Sequence, residues 1–565
     1  MNEFKNVNSN KNIVVTSALP YANSEPHIGH LRSTYLPADI MARYLKAKGY
    51  KAYHVSGTDE HGTPILARAL REKRNPREIV DYYHEVIKRA FERAGVHFDI
   101  FSRTTKPHHY ELTLKFFEKA KKAGYIYKKE IKILYCEHDK LALPDRLVIG
   151  TCPYCGAPNQ YGDYCEVCGR TYTPLQLKNP RCAICGNPPV IKTSTHYFFA
   201  LSEFSDRLER WIKEKVKLTK GVKEQVLHWI KSGLQDWDIT RNIPWGVPVP
   251  DLPDQVFYVW WDAPIGYISF TKELFDSIGE DWEAVWVRGE GYIIHFIGKD
   301  IIYHHVLFWP AMLMAVDFAL PNEIRVRGFA TLEKEKMSKS RGHYIGLEEF
   351  LDIWPADYLR FYWAITTSES LTDGDFSLYE YSERINKSLI GEFGNLVHRV
   401  LTLIKRGNIT DGDIIKSYIE NAEKLFVEYD ELMISNQFDQ GLEKSLEISR
   451  LGNKLLSEKE PWRKLESKEA ADTLITALGI SAIAAVSLEP YIPYSIEKFK
   501  EYVGLKVSST EFRKTIEKIF EDGTDVLISM AKNVISQKEI RPIFAKVTNK
   551  QIESVRKTLK ARRRK

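Results

Sequence analysis

Apolar residues first gather at residues 13–17, IVVTS, a run hydrophobic on both faces that predicts a buried strand. From Pro26 the period changes. Leu31, Tyr35, Ala38, Ala42 and Leu45 recur at helical spacing until Gly49 stops them, and residues 52–56 predict a second strand. Strand, helix, strand with a right-handed crossover puts the first loop and helical turn at the carboxyl edge of a parallel sheet, where such folds bind ligands. Residues 76–123 read as helices. Between about 125 and 245, Cys, Pro and Gly crowd together and helical periodicity fades until Leu201. Residues 255–270, QVFYVWWDAPIGYISF, read as a sheet-like aromatic stretch, either a core strand with a bend or the wall of a small apolar pocket. Residues 293–309 predict a strand ending at Gly298-Lys299-Asp300 and a helix carrying His304 and His305. Residues 324–332 predict another strand, followed by a charged loop, EKEKMSKSRG. Beyond Tyr381 the pattern is almost wholly helical, as in Leu442, Leu446, Ile448, Leu451 and Leu455, so a helical bundle follows an α/β body.

A chain of 565 residues is too long for one core, and its length suggests roughly three to four domains. Hydrophobic residues at 44% and charged residues at 28% describe a globular protein, and a net charge of +6 fits a nucleic-acid partner without requiring one. Residues 473–488 form a charge-free apolar run shorter than the roughly 20 residues a spanning helix needs, and Ser and Thr dilute it; a buried helix and no membrane are expected. The start, MNEFKNVNSNKN, lacks the apolar core of a signal peptide, which predicts a cytoplasmic protein. Residues 556–565 are strongly basic and read as a solvated tail, with RNA contact as the sharper alternative.

Three stretches carry candidate chemistry. His27 and His30 lie three apart on the predicted first helical turn, where both imidazoles would share a face beside a positive helix end, a site for phosphate oxygens; capping or packing under a loop is the plainer alternative. In SGTDEHGTP, residues 56–64, Gly57 and Gly62 let backbone approach a ligand while Asp59 and His61 project at a strand end; the alternative is a turn with an Asp cap. Six of the seven cysteines fall in Cys-x2-Cys pairs, which in a reducing compartment points to metal. Cys152, Cys155, Cys165 and Cys168 have the spacing of two knuckles closing one zinc site. Cys182 and Cys185 need two more ligands, which Cys136 with His138 or Asp139 would supply for a second zinc. Four protein ligands leave no open position, so both sites read as structural.

His27-Ile28-Gly29-His30 and Lys336-Met337-Ser338-Lys339-Ser340 match, unbroken, the two signature sequences of class I aminoacyl-tRNA synthetases. With ALPYANSEPHIGH, GTDEHGTP, VWWDAPIGY and HFIGKDI, the chain resembles the methionyl-tRNA synthetases over about residues 12–465. The resemblance implies an α/β, Rossmann-like parallel-sheet catalytic domain (1–124 and 247–330) with an inserted zinc-knuckle domain (125–246). A loop and linking domain (331–385) and an all-α bundle that binds the anticodon (386–565) would follow.

The resemblance further implies that the enzyme joins methionine to ATP with Mg2+, releasing pyrophosphate, and then charges tRNA(Met). His27, His30, Lys336 and Lys339 would be catalytic. ATP would also meet Gly29, Gly298, Lys299, Asp300, Met337, Ser338 and Ser340. Leu19, Tyr21, Trp260, Ala263, Pro264, Tyr267, Ile301 and His305 match methionine-pocket positions, and Asp59 would face the amino group. Such a pocket suits a flexible thioether, and homocysteine, one methyl smaller, would be rejected by only about 1–3 kcal/mol, so editing is expected. Asn395, Arg399 and Trp462 match residues that read the anticodon; apart from the resemblance, Trp462 reads as a core residue. One departure stands out, since Cys136 and Asp139 stand where two-zinc members carry a fourth Cys pair. A monomer is expected, with a separately encoded tRNA-binding partner left open. The rivals are a class I synthetase for another amino acid, a small-molecule adenylyltransferase, which would leave the bundle and the knuckles without purpose, and a zinc-ribbon nucleic-acid binder, which would leave the lysine loop unexplained.

Overall fold

The computed structural model describes residues 11–563, apart from 163, 164, 166, 169, 171, 340 and 341. Six parallel strands form the central sheet, in the order Lys217–Leu218, Glu323–Arg327, Tyr292–Gly298, Ile13–Ser17, Ala52–Thr58, Ile100–Arg103. Every residue of Ile13–Ser17 and of Tyr292–Gly298 is buried, as expected for strands covered on both faces. From Ile13–Ser17 the chain moves outward to Ala52–Thr58 and Ile100–Arg103, then returns to Tyr292–Gly298 on the other side. The carboxyl ends of these two central strands therefore flank a topological switch point, where a crevice opens.

Four expectations need correction here. Residues 76–123 are not all helical: Ile100–Arg103 is a four-residue edge strand whose one buried residue is Ser102, too short for its two apolar residues, Ile100 and Phe101, to show an alternating pattern. Residues 255–270 are strand only as far as Phe257; Tyr258 caps helix Val259–Asp262, Trp260 and Trp261 lie on it, and Tyr267 and Phe270 lie on helix Gly266–Ile278, with Pro264 in the short helical turn that joins the two. Residues 324–332 are two strands, because the chain crosses against Thr372 at Gly328, where a side chain would strike backbone; Ala330–Leu332 joins a small sheet with Glu335–Lys336 and Gly374–Phe376. Finally, the basic segment is not a free tail as far as Arg563, and residues 564 and 565 lie outside the described residues. A capping box between Thr548 and Gln551 opens helix Asn549–Arg562, which buries Ile552, Val555 and Leu559 on one face.

Residues 126–199 project as a long antiparallel ribbon, Ile126–Cys136 against Val190–Phe199, with the cysteine pairs at its far end. In the bundle, Lys468–Leu488 is long and apolar enough to cross a membrane by composition, yet it is the buried central helix, packed among its neighbours. Arg360, fully buried, ties bundle to body: it pairs with Asp39 (2.7 Å) and donates to the carbonyls of Gly95, Pro490 and Tyr491 (2.8, 2.8 and 2.9 Å). Against the upward push of burial, Arg43 and Arg360 hold the Asp39 carboxyl down to about 2. Removing one partner of such a pair would strand the other charge.

Candidate active site

The histidine cluster sits where the sheet predicts, with one change. His27 precedes the helix and makes a β-bridge with Gly346, while His30 lies just before a widened turn, Leu31–Tyr35, that runs into helix Leu36–Ala47. The two rings are 4.0 Å apart. His27 Nδ1 accepts from the Gly29 amide (3.2 Å), which leaves the proton of that neutral ring on Nε2, while His30 Nδ1 lies within hydrogen-bond distance of both the amide (3.1 Å) and the carbonyl (3.2 Å) of His27. Burial depresses both imidazoles, His30 to about 4, and the Lys339 charge adds to the effect on each. Both are thus neutral hydrogen-bond donors at physiological pH.

The lysine loop reaches the same place. Ile28 N–H donates to Ile345 O (3.1 Å), Leu347 N–H to Pro26 O (3.0 Å), and Lys339 Nζ to Glu25 O. Gly29 packs so closely that a Cβ there would lie 2.8 Å from that of Ala330. Trp363 Nε1 fixes the Ile28 carbonyl (3.0 Å), and Arg32 grips the carbonyls of Phe329 (3.0 Å) and Thr372 (3.2 Å). Lys339 is pushed down to about 8, chiefly by burial. Lys336 is exposed on its short strand, near enough for its charge to act on Asp300. Met337 is buried, Ser338 pairs with His343, and Ser340 lies outside the described residues. Across the crevice, Lys299 is paired with Asp373 (2.6 Å), and Gly298 leaves room for the Asp300 carboxylate. Arg32, Trp363 and the carbonyl of Glu25 were not singled out from sequence, and backbone contacts of this kind carry no residue-type signal.

A cluster of aromatic and histidine side chains packs beside strand Tyr292–Gly298. Tyr267 OH donates to His305 Nε2 (2.8 Å), whose Nδ1 donates to Ile301 O (3.1 Å). Trp260 stands edge-on to His305 (5.9 Å) and stacks on His304 (3.7 Å), which the sequence placed on the helix without a role. Leu19 lies against Gly266, one turn from Ala263 and Pro264, and Tyr21 bridges to Asp59. Asp59 is buried and accepts one long hydrogen bond, from the His61 amide (3.4 Å); burial, Asp262 and Glu60 push its carboxyl well up. Asp262 has a partner in the His61 ring (2.6 Å), which also meets Tyr110 (3.0 Å). Asp59 therefore favours its neutral form unless a cation stands beside it.

Both cysteine groups assemble. One donor from each of Cys152, Cys155, Cys165 and Cys168, and one from each of Cys136, Asp139, Cys182 and Cys185, lie within 4.8 Å of one another. Sulfur separations of 3.6 and 3.9 Å in the first group and 3.5 Å in the second are close to the about 3.8 Å edge of a tetrahedral zinc–thiolate site. His138 is not in the second group: its side chain is 67% exposed and its Nδ1 supports Asp139 from outside (3.0 Å). In the bundle, Arg399 stacks over the Trp462 ring (5.0 Å). Trp462 is 36% exposed, which corrects its residue-only reading as core, and Asn395 is exposed one turn before Arg399 on the same helix face.

Comparisons with known proteins agree with this geometry. The family described as tRNA synthetases class I (M) matches residues 13–401. A methionine–tRNA ligase of Methanopyrus kandleri is 42% identical over 97% of this chain and 82% of its own length; one of Pyrococcus furiosus is 46% identical over 88% and 72%. A solved structure of Mycobacterium tuberculosis methionyl-tRNA synthetase in complex with methionyl-adenylate, 25% identical, superposes with a TM-score of 0.72 over 89% of this chain and 96% of that one.

Proposed function

Since the chain belongs to the methionyl branch of the class I aminoacyl-tRNA synthetases, we propose that it activates L-methionine with ATP and transfers the methionyl group to the 3' end of tRNA(Met). One observation carries this: segment 25–29 and the lysine loop are joined by main-chain and lysine contacts, so histidines and lysines face one crevice at the switch point. In the first step a methionine carboxylate oxygen attacks the α-phosphorus of ATP, the bond to the bridging oxygen breaks, and pyrophosphate leaves. The nucleophile is already an anion, so no base is needed. The barrier is lowered by alignment and by neutralising charge on the leaving group. His27 donates its Nε2–H to a phosphate oxygen, His30 does the same in the tautomer whose Nδ1 accepts from the His27 amide, and Lys336 and Lys339 bring positive charge. In the second step a hydroxyl of the terminal ribose attacks the methionyl carbonyl, and AMP departs with the electron pair while the hydroxyl proton is released.

Tyr267, His305, Trp260, Ala263, Pro264, Ile301 and Leu19 surround the thioether, whose sulfur packs well against aromatic rings, and Asp59 receives the amino group. ATP is expected with Mg2+, which supplies further neutralisation of the triphosphate and needs no carboxylate of the chain. Cys152, Cys155, Cys165 and Cys168 would hold one zinc ion and Cys136, Asp139, Cys182 and Cys185 a second, both structural because four protein ligands leave no open position. Arg399, Trp462 and Asn395 offer stacking and hydrogen bonding to anticodon bases. The enzyme is proposed to act in the cytoplasm as a monomer. Pyrophosphate exchange into ATP, run with each of the twenty amino acids, tests the proposal: exchange with methionine is expected, and efficient exchange only with another amino acid, or with none, would overturn it.

A further inference from the structure

Helix Asn549–Arg562 ends on the lysine loop. Arg562 Nη1 donates to Tyr344 O (3.3 Å) and to Glu349 Oε2 (2.9 Å), and its guanidinium lies over the Tyr344 ring (5.1 Å). Its main chain abuts Gly342, where φ is +64° and a Cβ would stand 2.8 Å from the Arg562 carbonyl oxygen. Arg563 pairs with Glu335 (3.0 Å) and donates to His343 Nδ1 (3.1 Å), while His343 Nε2 donates to Leu332 O (2.8 Å). Glu335 immediately precedes Lys336, and His343 pairs through both main-chain groups with Ser338, next to Lys339. Two adjacent arginines thus fasten both stems of the loop.

The helix is itself anchored to the body. Ala545 exchanges hydrogen bonds with the Tyr358 hydroxyl (2.6 and 2.9 Å), and both main-chain groups of Val547 bond to the Asn386 side chain (2.9 Å each). From this geometry we infer that Arg562 and Arg563 are positioning residues for adenylate formation, setting where Lys336 and Lys339 stand relative to His27 and His30. The inference rests on the activity proposed above. Neither arginine touches the reacting atoms. Exposed ion pairs are individually weak, so the effect comes from their combination with the main-chain contacts and is moderate. A basic segment at this place could instead serve RNA, and the two roles separate experimentally.

The double variant Arg562→Ala/Arg563→Ala is expected to lower kcat of methionine-dependent pyrophosphate exchange about tenfold, the scale of a sub-ångström misplacement, while the KM for methionine stays within about twofold. Glu349→Ala should reproduce the Arg562→Ala loss and exceed it, because Glu349 Oε2 also accepts from the Gly346 amide (3.1 Å), and Arg563→Lys should restore most of the Arg563→Ala loss. Endoproteinase Lys-C should cut after Lys336 and Lys339 several-fold faster in the double variant. Unchanged exchange and unchanged Lys-C cleavage would overturn the inference, as would a higher KM for tRNA with normal exchange, which would make the arginines RNA contacts. If the unaltered enzyme showed no exchange with methionine, the activity proposal would fall, and the Lys-C comparison would still decide whether the arginines fasten the loop.

Discussion

Gly29→Ala is the sharpest single perturbation of the crevice. A methyl group there would lie 2.8 Å from Ala330 Cβ and 3.1 Å from the His27 ring, whereas carbon atoms rest at about 3.5–4.0 Å. Relief demands that the segment bearing the histidines and the strand leading to the lysines part by about 1 Å. Overpacking of this kind costs about 1–3 kcal/mol of stability. A displacement of that size between catalytic groups costs about 100-fold in rate, or roughly 2.7 kcal/mol. The expected result is a fall of about two orders of magnitude in kcat for methionine-dependent pyrophosphate exchange, with methionine binding, followed by tryptophan fluorescence, nearly unchanged. The second-site change Ala330→Gly removes the atom struck and should recover most of the rate. Near-normal exchange in Gly29→Ala, or no recovery in the double variant, would refute the claim that this contact sets the spacing of the two clusters.

Three further outcomes follow from the site. Lys339, pushed down to about 8, is charged below that pH and neutral above it, so kcat/KM for ATP should fall as pH rises through about 8, and Lys339→Arg should move that limb upward; a pH profile of exchange checks both. Trp462→Ala should raise the KM for tRNA about 5- to 150-fold, the equivalent of losing about 1–3 kcal/mol of base stacking, with exchange unchanged because the side chain lies in the bundle, away from the crevice. Asp139→Ala should reduce bound zinc from two equivalents to one by elemental analysis and lower Tm, and substantial exchange should survive because the ion is structural.

Much of this was legible in the residues where side-chain type and spacing carry the physics. IVVTS announced a strand buried on both faces, and the paired cysteines announced their own assembly. The choice between His138 and Asp139 was not legible, since either follows Cys136 closely enough to turn back; only the ribbon's register, with Tyr135 opposite Val190, brings Asp139 to Cys182. Residues 255–270 misled because Trp, Tyr and Phe favour strands, and burial against the sheet overrode that preference. The carbonyls of Glu25 and Ile345 stayed hidden because every residue possesses such atoms, and Arg32 and Trp363 because the partners of their side chains are main-chain carbonyls. The basic end, charged enough to suggest solvent, spends Arg562 and Arg563 on the loop instead.

The central claim is that His30 and Lys339 act on one triphosphate, and a double-mutant cycle in single-turnover adenylate formation tests it most directly. His30→Ala, Lys339→Ala and the double variant are compared with the unaltered enzyme at saturating ATP and methionine. A coupling energy above about 1 kcal/mol is predicted, with the double variant far less impaired than the product of the single effects. Losses that multiply to within about 0.5 kcal/mol would show two groups working independently, and would contradict the claim.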